Sequence, residues 1–393
     1  MRTIAATIIL SSISFFSGAQ FSSERSLLHP TYGASSIKNI DLDGDGDIDV
    51  LSSSQNNDEI TIFENNGSVE FSTSSIHIVS TLADGPIQLS TSDLDNDGDL
   101  DIVSISTEDN KVAVYENLGN LQFGTQLTIS TAITNLKLLE LSDLDNDGLA
   151  DIIVLTDNDL KWFHNNGNLT FGTPINLASL SVSASNGAIH PFNIDNDSDI
   201  DILYGFSNFL YKITNQGNGV FDAPVLISNQ AYSIRSIYSK DLNNDGNLDF
   251  VTADYAGINK FINNGLGSFS APTVVHAVYN GYQVMAEDMD DDNDLDIIWS
   301  EVNSSGFDDF LIKWARNDGS GGYQDLFLVS SAVKGATHFA ISDLDLDGDK
   351  DVSSSSKSDG KIAYYLNIAD TTFEAQRLLS SSVNSPNSIA AGD

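Results

Sequence analysis

Residues 93–101 read Asp93-Leu94-Asp95-Asn96-Asp97-Gly98-Asp99-Leu100-Asp101, and the same nine-residue pattern returns along the chain. It stands as DLDGDGDID from Asp41, DLDNDGLAD from Asp143, NIDNDSDID from Asn193, DLNNDGNLD from Asp241, DMDDDNDLD from Asp288 and DLDLDGDKD from Asp343. The seven copies start 52, 50, 50, 48, 47 and 55 residues apart. A second landmark keeps the same period: a turn glycine followed four residues later by an aromatic, as Gly67/Phe71, Gly119/Phe123, Gly167/Phe171, Gly217/Phe221, Gly265/Phe269 and Gly319/Tyr323, with Ala369/Phe373 in the last copy. Two independent landmarks on one period of roughly 50 residues mark a tandem array of one supersecondary unit.

Each unit reads as four short strands. In the first, Ile48 to Leu51 is an apolar strand start, and Glu59 to Phe63 alternates with the period of a half-buried strand. Asn65-Asn66-Gly67 is turn chemistry, Phe71 to Val79 gives a third strand and Pro86 to Ser92 a fourth. No window keeps a 3.6-residue apolar period. The pattern predicts an all-β fold, a seven-bladed β-propeller of four-stranded antiparallel blades whose core forms where blade faces stack. The repeated aromatics are expected in those inter-blade layers. An eight-bladed ring is the alternative, because the second half of the unit recurs at both ends: Phe21 lies 20 residues before Asp41, and Phe373 lies 20 residues before Asp393. Either the chain is part of a longer protein, or the terminal half-units overlap to close a ring of seven.

Composition narrows the functional classes. The 393 residues carry 56 Asp and Glu against 17 Lys and Arg, a formal net charge of −39. Such a surface repels nucleic acid and anionic membranes. The absence of cysteine excludes disulfides, thiol catalysis and thiolate metal sites. Twenty Phe and 12 Tyr supply a core that a disordered acidic chain would lack. Residues 1–19 have the order of a secretory signal: Arg2, then an apolar run from Ile4 to Phe16, then Ser17-Gly18-Ala19. The run is too short to span a bilayer. Cleavage after Ala19, a propeller over 20–393, and a secreted or cell-surface, monomeric protein with no membrane span in the mature chain are the expectations.

The acidic loops read as calcium sites. Hard cations of this size take 6–8 oxygen ligands, and carboxylates at positions 1, 3, 5 and 9 with a carbonyl at position 7 supply them when the loop wraps the ion. Gly at position 6 permits the sharp turn. The expected ligand sets are Asp41, Asp43, Asp45, Asp47 and Asp49; Asp93, Asp95, Asp97, Asp99 and Asp101; and Asp143, Asp145, Asp147, Leu149 and Asp151. They continue as Asn193, Asp195, Asp197, Asp199 and Asp201; Asp241, Asn243, Asp245, Asn247 and Asp249; Asp288, Asp290, Asp292, Asp294 and Asp296; and Asp343, Asp345, Asp347, Asp349 and Asp351. Acidic turns alone would account for the composition but not for the strict spacing, and converging carboxylates without a counter-ion are costly. Up to seven Ca2+ ions are therefore expected. The fourth site should be the weakest, because Ser198 stands where the turn needs Gly. Extracellular calcium modules bind at about 10⁻⁴–10⁻³ M, so each site should add roughly 1–2 kcal/mol in millimolar calcium.

The loop followed by N-x-G-x-x-x-F-x-x-P, plainest at Phe171-Gly172-Thr173-Pro174, Phe221-Asp222-Ala223-Pro224 and Phe269-Ser270-Ala271-Pro272, resembles the FG-GAP repeat family, including its bacterial VCBS group. The resemblance covers about residues 21–393. It implies integrin-α-like propeller blades with calcium in the acidic loops, and an extracellular role in adhesion or ligand binding, sometimes as an accessory to a polysaccharide-degrading domain.

No catalytic constellation stands out. His29, His77, His164, His190, His276 and His338 occupy unrelated places in the repeat and are expected to be structural or solvated. No nucleophile elbow or phosphate-cradling loop is present. The expectation is a binding module and not an enzyme, with an extracellular protein or a carbohydrate as ligand. A lectin, or a propeller attached to a polysaccharide-degrading enzyme, is the alternative. Two features are candidates for recognition: the longer stretch from Glu301 to Phe310 in the sixth unit, and Trp162 and Trp314 at equivalent positions, with blade packing the expected role of the tryptophans.

Overall fold

Seven four-stranded antiparallel sheets follow one another along the chain in a computed structural model that describes residues 34–46, 49–64, 75–180, 187–229, 232–255, 257–278, 280–303, 309–342, 348–356, 361–369 and 371–380. The sheets span residues 34–80, 86–130, 136–179, 187–228, 236–276, 281–334 and 336–380, and form blades 1 to 7 of a β-propeller. Blade 2 shows the plan. Its strands Pro86–Ser92, Asp101–Ser106, Lys111–Tyr115 and Leu127–Ser130 pair in sequence order. First strands of successive blades pack on one another from blade 1 to blade 7.

The blade is offset from the sequence repeat by one strand. The strand read as the last of each unit, such as Pro86–Ser92, is the first of the next blade. Each acidic nonapeptide is thus the hairpin between a blade's first and second strands. Seven blades, not eight, result. Phe373 and the strand Arg377–Ser380 complete blade 7, while Phe21 and Asp393 lie outside the described residues, as do residues 1–33.

Burial follows position in the blade. All six residues of Asp101–Ser106, Asp151–Thr156 and Asp201–Phe206 are buried, because the second strand is covered on both faces by neighbouring blades. The fourth strand lies at the rim and exposes residues such as Leu127 and Val225. Six apolar clusters fill the interfaces from blades 1–2 to blades 6–7. In the layer between blades 2 and 3, Val103, Ile105 and Val114 meet Leu139, Ile152, Val154 and Phe163. The turn aromatics Phe123, Phe171, Phe221, Phe269, Tyr323 and Phe373 each pack into such a layer, as the sequence predicts.

Trp162 is 4 % exposed and Trp314 fully buried, so both are packing residues and neither is a platform for a ligand. Gly219, at φ +70°, lies so close over Trp162 that a Cβ would sit 2.5 Å from the ring. Polar staples join inner strands: the Gln88 amide donates to Leu139 O (3.0 Å) and accepts from Leu139 N–H (2.8 Å), and Gln283 does the same with Phe339 (3.0 and 2.7 Å).

Candidate metal centre

The aspartate at position 9 opens the second strand and is the fixed point of each loop. Asp49, Asp101, Asp151, Asp201, Asp249, Asp296 and Asp351 are all fully buried. One oxygen accepts the backbone N–H of loop position 2, at 2.9 Å in Asp101–Leu94 and 2.8 Å in Asp201–Ile194. The other accepts the N–H of an asparagine in the hairpin between strands 3 and 4: Asn117 (2.8 Å), Asn165 (2.7 Å), Asn215 (2.7 Å), Asn263 (2.7 Å), Asn317 (2.7 Å) or Asn367 (2.8 Å). Burial outweighs these bonds and raises the carboxyl pKa to about 6 in Asp101, Asp151, Asp201 and Asp249, and to about 7 in Asp296. Two amide bonds do not replace the hydration lost on burial, so each carboxylate favours a further positive partner.

Positions 1 and 3 come to the same point. Carboxylate oxygens of Asp41, Asp43 and Asp49 lie within 4.8 Å of one another, as do those of Asp93, Asp95 and Asp101, of Asp143, Asp145 and Asp151, and of Asp288, Asp290 and Asp296. In loops 4 and 5, Asn193 and Asn243 put a neutral amide oxygen in the sequence place of one carboxylate. Position 1 also holds the loop shut: Asp93 accepts the N–H of Asp97 (3.2 Å) and of Gly98 (3.0 Å). Position 5 is exposed, and one of its oxygens is taken by the position-7 N–H, at 2.9 Å in Asp97–Asp99, Asp147–Leu149 and Asp292–Asp294. The converging set is thus positions 1, 3 and 9, with position 5 at its outer edge.

Position-7 side chains turn away from the cluster. Those of Asp99, Asp199, Asn247 and Asp294 lie over the turn glycines Gly119, Gly217, Gly265 and Gly319, at 3.3, 3.0, 2.5 and 3.0 Å from where a Cβ would stand. The two sequence landmarks are therefore one structural unit. Asp47, Asp343, Asp345 and Asp347 lie outside the described residues.

The donor set fits a hard cation. One oxygen of the position-3 aspartate, Oδ1, is buried without a hydrogen-bond partner in Asp95, Asp145, Asp195 and Asp290. Four repeats of the same orphaned acceptor, each beside other carboxylates, leave an ion as the natural partner. Burial, with neighbouring carboxylates adding to it, raises the pKa of Asp95, Asp195 and Asp290. Backbone strain marks the loops as well. Position 6 has positive φ throughout the described loops, including Ser198 (+83°) and Asn293 (+70°) in place of Gly, and position 4 does too, at Asn96 (+62°), Asn146 (+61°) and Asn196 (+63°).

Three features escape the sequence reading. The buried asparagine reads in sequence as turn chemistry, yet its side chain staples two blades: Asn165 Nδ2 donates to Leu94 O of the preceding blade's loop (2.8 Å) and to Ala150 O of its own (3.1 Å). Asn117, Asn215 and Asn263 repeat this onto Leu42, Leu144 and Ile194. His164 meets the third loop, with Nε2 2.5 Å from Asp145 Oδ2 and 3.9 Å from Asp147 Oδ2, a structural contact whose partner the sequence does not show. Burial opposes charge on His164, but Asn166 and Asp145 outweigh it and raise its pKa. At the equivalent position Arg316 Nε lies 2.5 Å from Asp290 Oδ2. In these two blades the residue before the repeated Asn reaches the position-3 aspartate.

This unit of acidic hairpin, stapling Asn and turn Gly coincides with FG-GAP-like repeat models, which match residues 41–104, 93–138, 143–204, 193–252 and 241–299. The chain belongs to the FG-GAP-like repeat family. No curated protein matches it. Among solved structures, this FG-GAP-like propeller is similar to a lectin of Agrocybe aegerita described for specific recognition of non-reducing terminal N-acetylglucosamine, with 18 % identity and a TM-score of 0.61, covering 83 % of this chain and 89 % of the lectin. It is also similar to BBS1N solved in complex with ARL6DN, at 12 % identity and a TM-score of 0.54, covering 91 % and 96 % of the two chains. These likenesses concern the fold.

Proposed function

We propose that this protein is a secreted, calcium-stabilised propeller that works as an adhesion or ligand-binding module and not as an enzyme. The observation that carries the calcium assignment is the orphaned Oδ1 of the position-3 aspartate, repeated in four loops beside a buried position-9 carboxylate. An all-oxygen, multi-carboxylate set suits calcium above softer metals. Asp41, Asp93, Asp143 and Asp288 with their position-3 and position-9 partners would hold the ion, and Asp45, Asp97, Asp147 and Asp292 would reach it from the rim. With the ion in place, the strained hairpins become rigid, and one end of the propeller is fixed by metal instead of disulfides.

A carbohydrate is the favoured ligand class. A neighbour of similar fold is a lectin, and the −39 charge disfavours nucleic acid and acidic surfaces. The Arg2-to-Ala19 segment supports export. Retention of the purified protein on immobilised polysaccharides, in millimolar calcium and again in EGTA, tests the reading. Calcium-dependent retention without release of shortened product is expected. Product formation would make the protein an enzyme and refute it.

A further inference from the structure

The residue before the hairpin asparagine differs in charge from blade to blade. It is Glu64 in blade 1, Glu116 in blade 2, Thr214 in blade 4, Ile262 in blade 5 and Arg316 in blade 6. His164 holds the place in blade 3 and is charged only when protonated, whereas a guanidinium is always charged. Arg316 is the only Lys or Arg at this place in the seven units. Its Nε lies 2.5 Å from Asp290 Oδ2, and its guanidinium carbon lies 5.3 Å from the centre of the Phe327 ring. Phe327 in turn stacks on the fully buried Trp314, with ring centres 4.5 Å apart. The cation is thus packed on a core aromatic and paired with loop position 3. No hydrogen bond is aligned along the Arg316 Nε contact, so the attraction is one of charge.

Loops 2 and 6 are otherwise built alike. Asp93, Asp95 and Asp101 converge in one, and Asp288, Asp290 and Asp296 in the other. The same backbone bonds close them. In loop 2, Leu94 N–H donates to Asp101 (2.9 Å) and Gly98 N–H to Asp93 (3.0 Å). In loop 6, Met289 N–H donates to Asp296 (3.0 Å) and Asn293 N–H to Asp288 (2.9 Å). The Asp290 side chain is 5 % exposed, with Oδ2 against Arg316 and Oδ1 without a partner. Among the described residues, a position-3 aspartate is ion-paired only in loops 3 and 6. The added carboxylate of loop 6, Asp291 at position 4, is exposed, where solvent screens it.

We infer that Arg316 supplies part of the positive charge that the sixth loop needs, so that loop 6 stays closed when calcium is scarce and takes the ion only at concentrations about tenfold or more above those that fill loop 2. The inference rests on the calcium reading above and makes the sites unequal. Loop 2 meets the ion with its converging carboxylates free of any counter-charge, whereas in loop 6 one of them is already paired. A guanidinium one carboxylate away from the ion repels it across a site that little water reaches, and that repulsion weakens binding.

The test uses the full chain at stepped calcium concentrations, with hydrogen exchange read by mass spectrometry in peptides spanning 93–101 and 288–296. The native chain is compared with Arg316→Gln, which removes the charge, and with Glu116→Arg, which places one beside loop 2. In the native chain the calcium midpoint for protection of 288–296 is expected about tenfold or more above that of 93–101, and 288–296 is expected to be the better protected of the two in EGTA. Arg316→Gln should bring the two midpoints together, and Glu116→Arg should raise that of 93–101 by a similar factor. One shared midpoint in the native chain, or an unmoved 288–296 midpoint in a folded Arg316→Gln variant, would overturn the inference while the calcium reading stands. If Arg316→Gln does not fold, an unmoved 93–101 midpoint in Glu116→Arg overturns it instead. Equal protection of 93–101 with and without calcium would sink the calcium reading, and this inference with it.

Discussion

Replacing Asn165 by Ala should unfasten blade 2 from blade 3 while leaving every acidic side chain in place. The Asn165 side chain is fully buried and makes three hydrogen bonds, donating to Leu94 O (2.8 Å) and Ala150 O (3.1 Å) and accepting from Gly167 N–H (3.1 Å). Removing it strands two carbonyls and one amide in a dry site. At about 1–3 kcal/mol for each buried group left unsatisfied, and with the groups relaxing toward one another, the loss should be about 3–4 kcal/mol. That is a large share of the roughly 5–15 kcal/mol by which proteins are stable. Asn165→Asp should cost more, because it places an acceptor oxygen against two carbonyls. Urea unfolding in saturating calcium measures the change, and hydrogen exchange locates it: the Leu94 and Ala150 segments should lose protection first. A loss below about 1 kcal/mol for Asn165→Ala would refute the staple as an energetic link and reduce it to a turn residue.

Three further outcomes follow from the same geometry. Ser198→Gly should raise the melting temperature and the calcium affinity of the fourth loop, because Ser198 is held at φ +83°, a strain of about 1 kcal/mol that Gly does not feel; calorimetric titration against the native chain measures it. Gly219→Ala should destabilise by about 1–3 kcal/mol in thermal melts, since the new methyl group meets the Trp162 ring, which is itself hemmed in by Phe221 at 5.3 Å. Glu140, on the first strand of blade 3, has its pKa raised by burial from 4.5 to about 7, against a smaller opposing pull from Lys38. The folded protein binds this proton more tightly than the unfolded chain, so the stability it contributes is present below pH 4.5 and is lost as pH rises toward 7. Glu140→Gln should therefore stabilise at pH 8 by about 1–2 kcal/mol, the partial exposure of the side chain trimming the effect, and should change little at pH 4.

The sequence disclosed the architecture because its signals are periodic. Seven nonapeptides and seven turn landmarks count the blades, and the spacing within each nonapeptide places Asp93, Asp95 and Asp101 around one point. The strand offset was not legible, since a meander of equal strands can be cut at any connection and only hydrogen bonding shows that Pro86–Ser92 pairs forward with Asp101–Ser106. The Asn staple left a trace in the recurrence of Asn two residues before the turn Gly, at Asn65, Asn117, Asn165, Asn215, Asn263 and Asn317. Its role is not legible in the sequence, because Asn before Gly is also ordinary turn chemistry and its acceptor lies 71 residues away for Asn165 and Leu94. Burial, not residue type, settles the role of Trp162 and Trp314.

Calcium counting tests the central claim most directly. Protein stripped with EGTA and dialysed against millimolar calcium should take up several ions per chain, up to seven, in metal analysis, and its melting temperature should fall sharply when the chelator returns, since each site is expected to contribute roughly 1–2 kcal/mol. A chain that takes up no calcium and melts at the same temperature with and without EGTA would contradict the account.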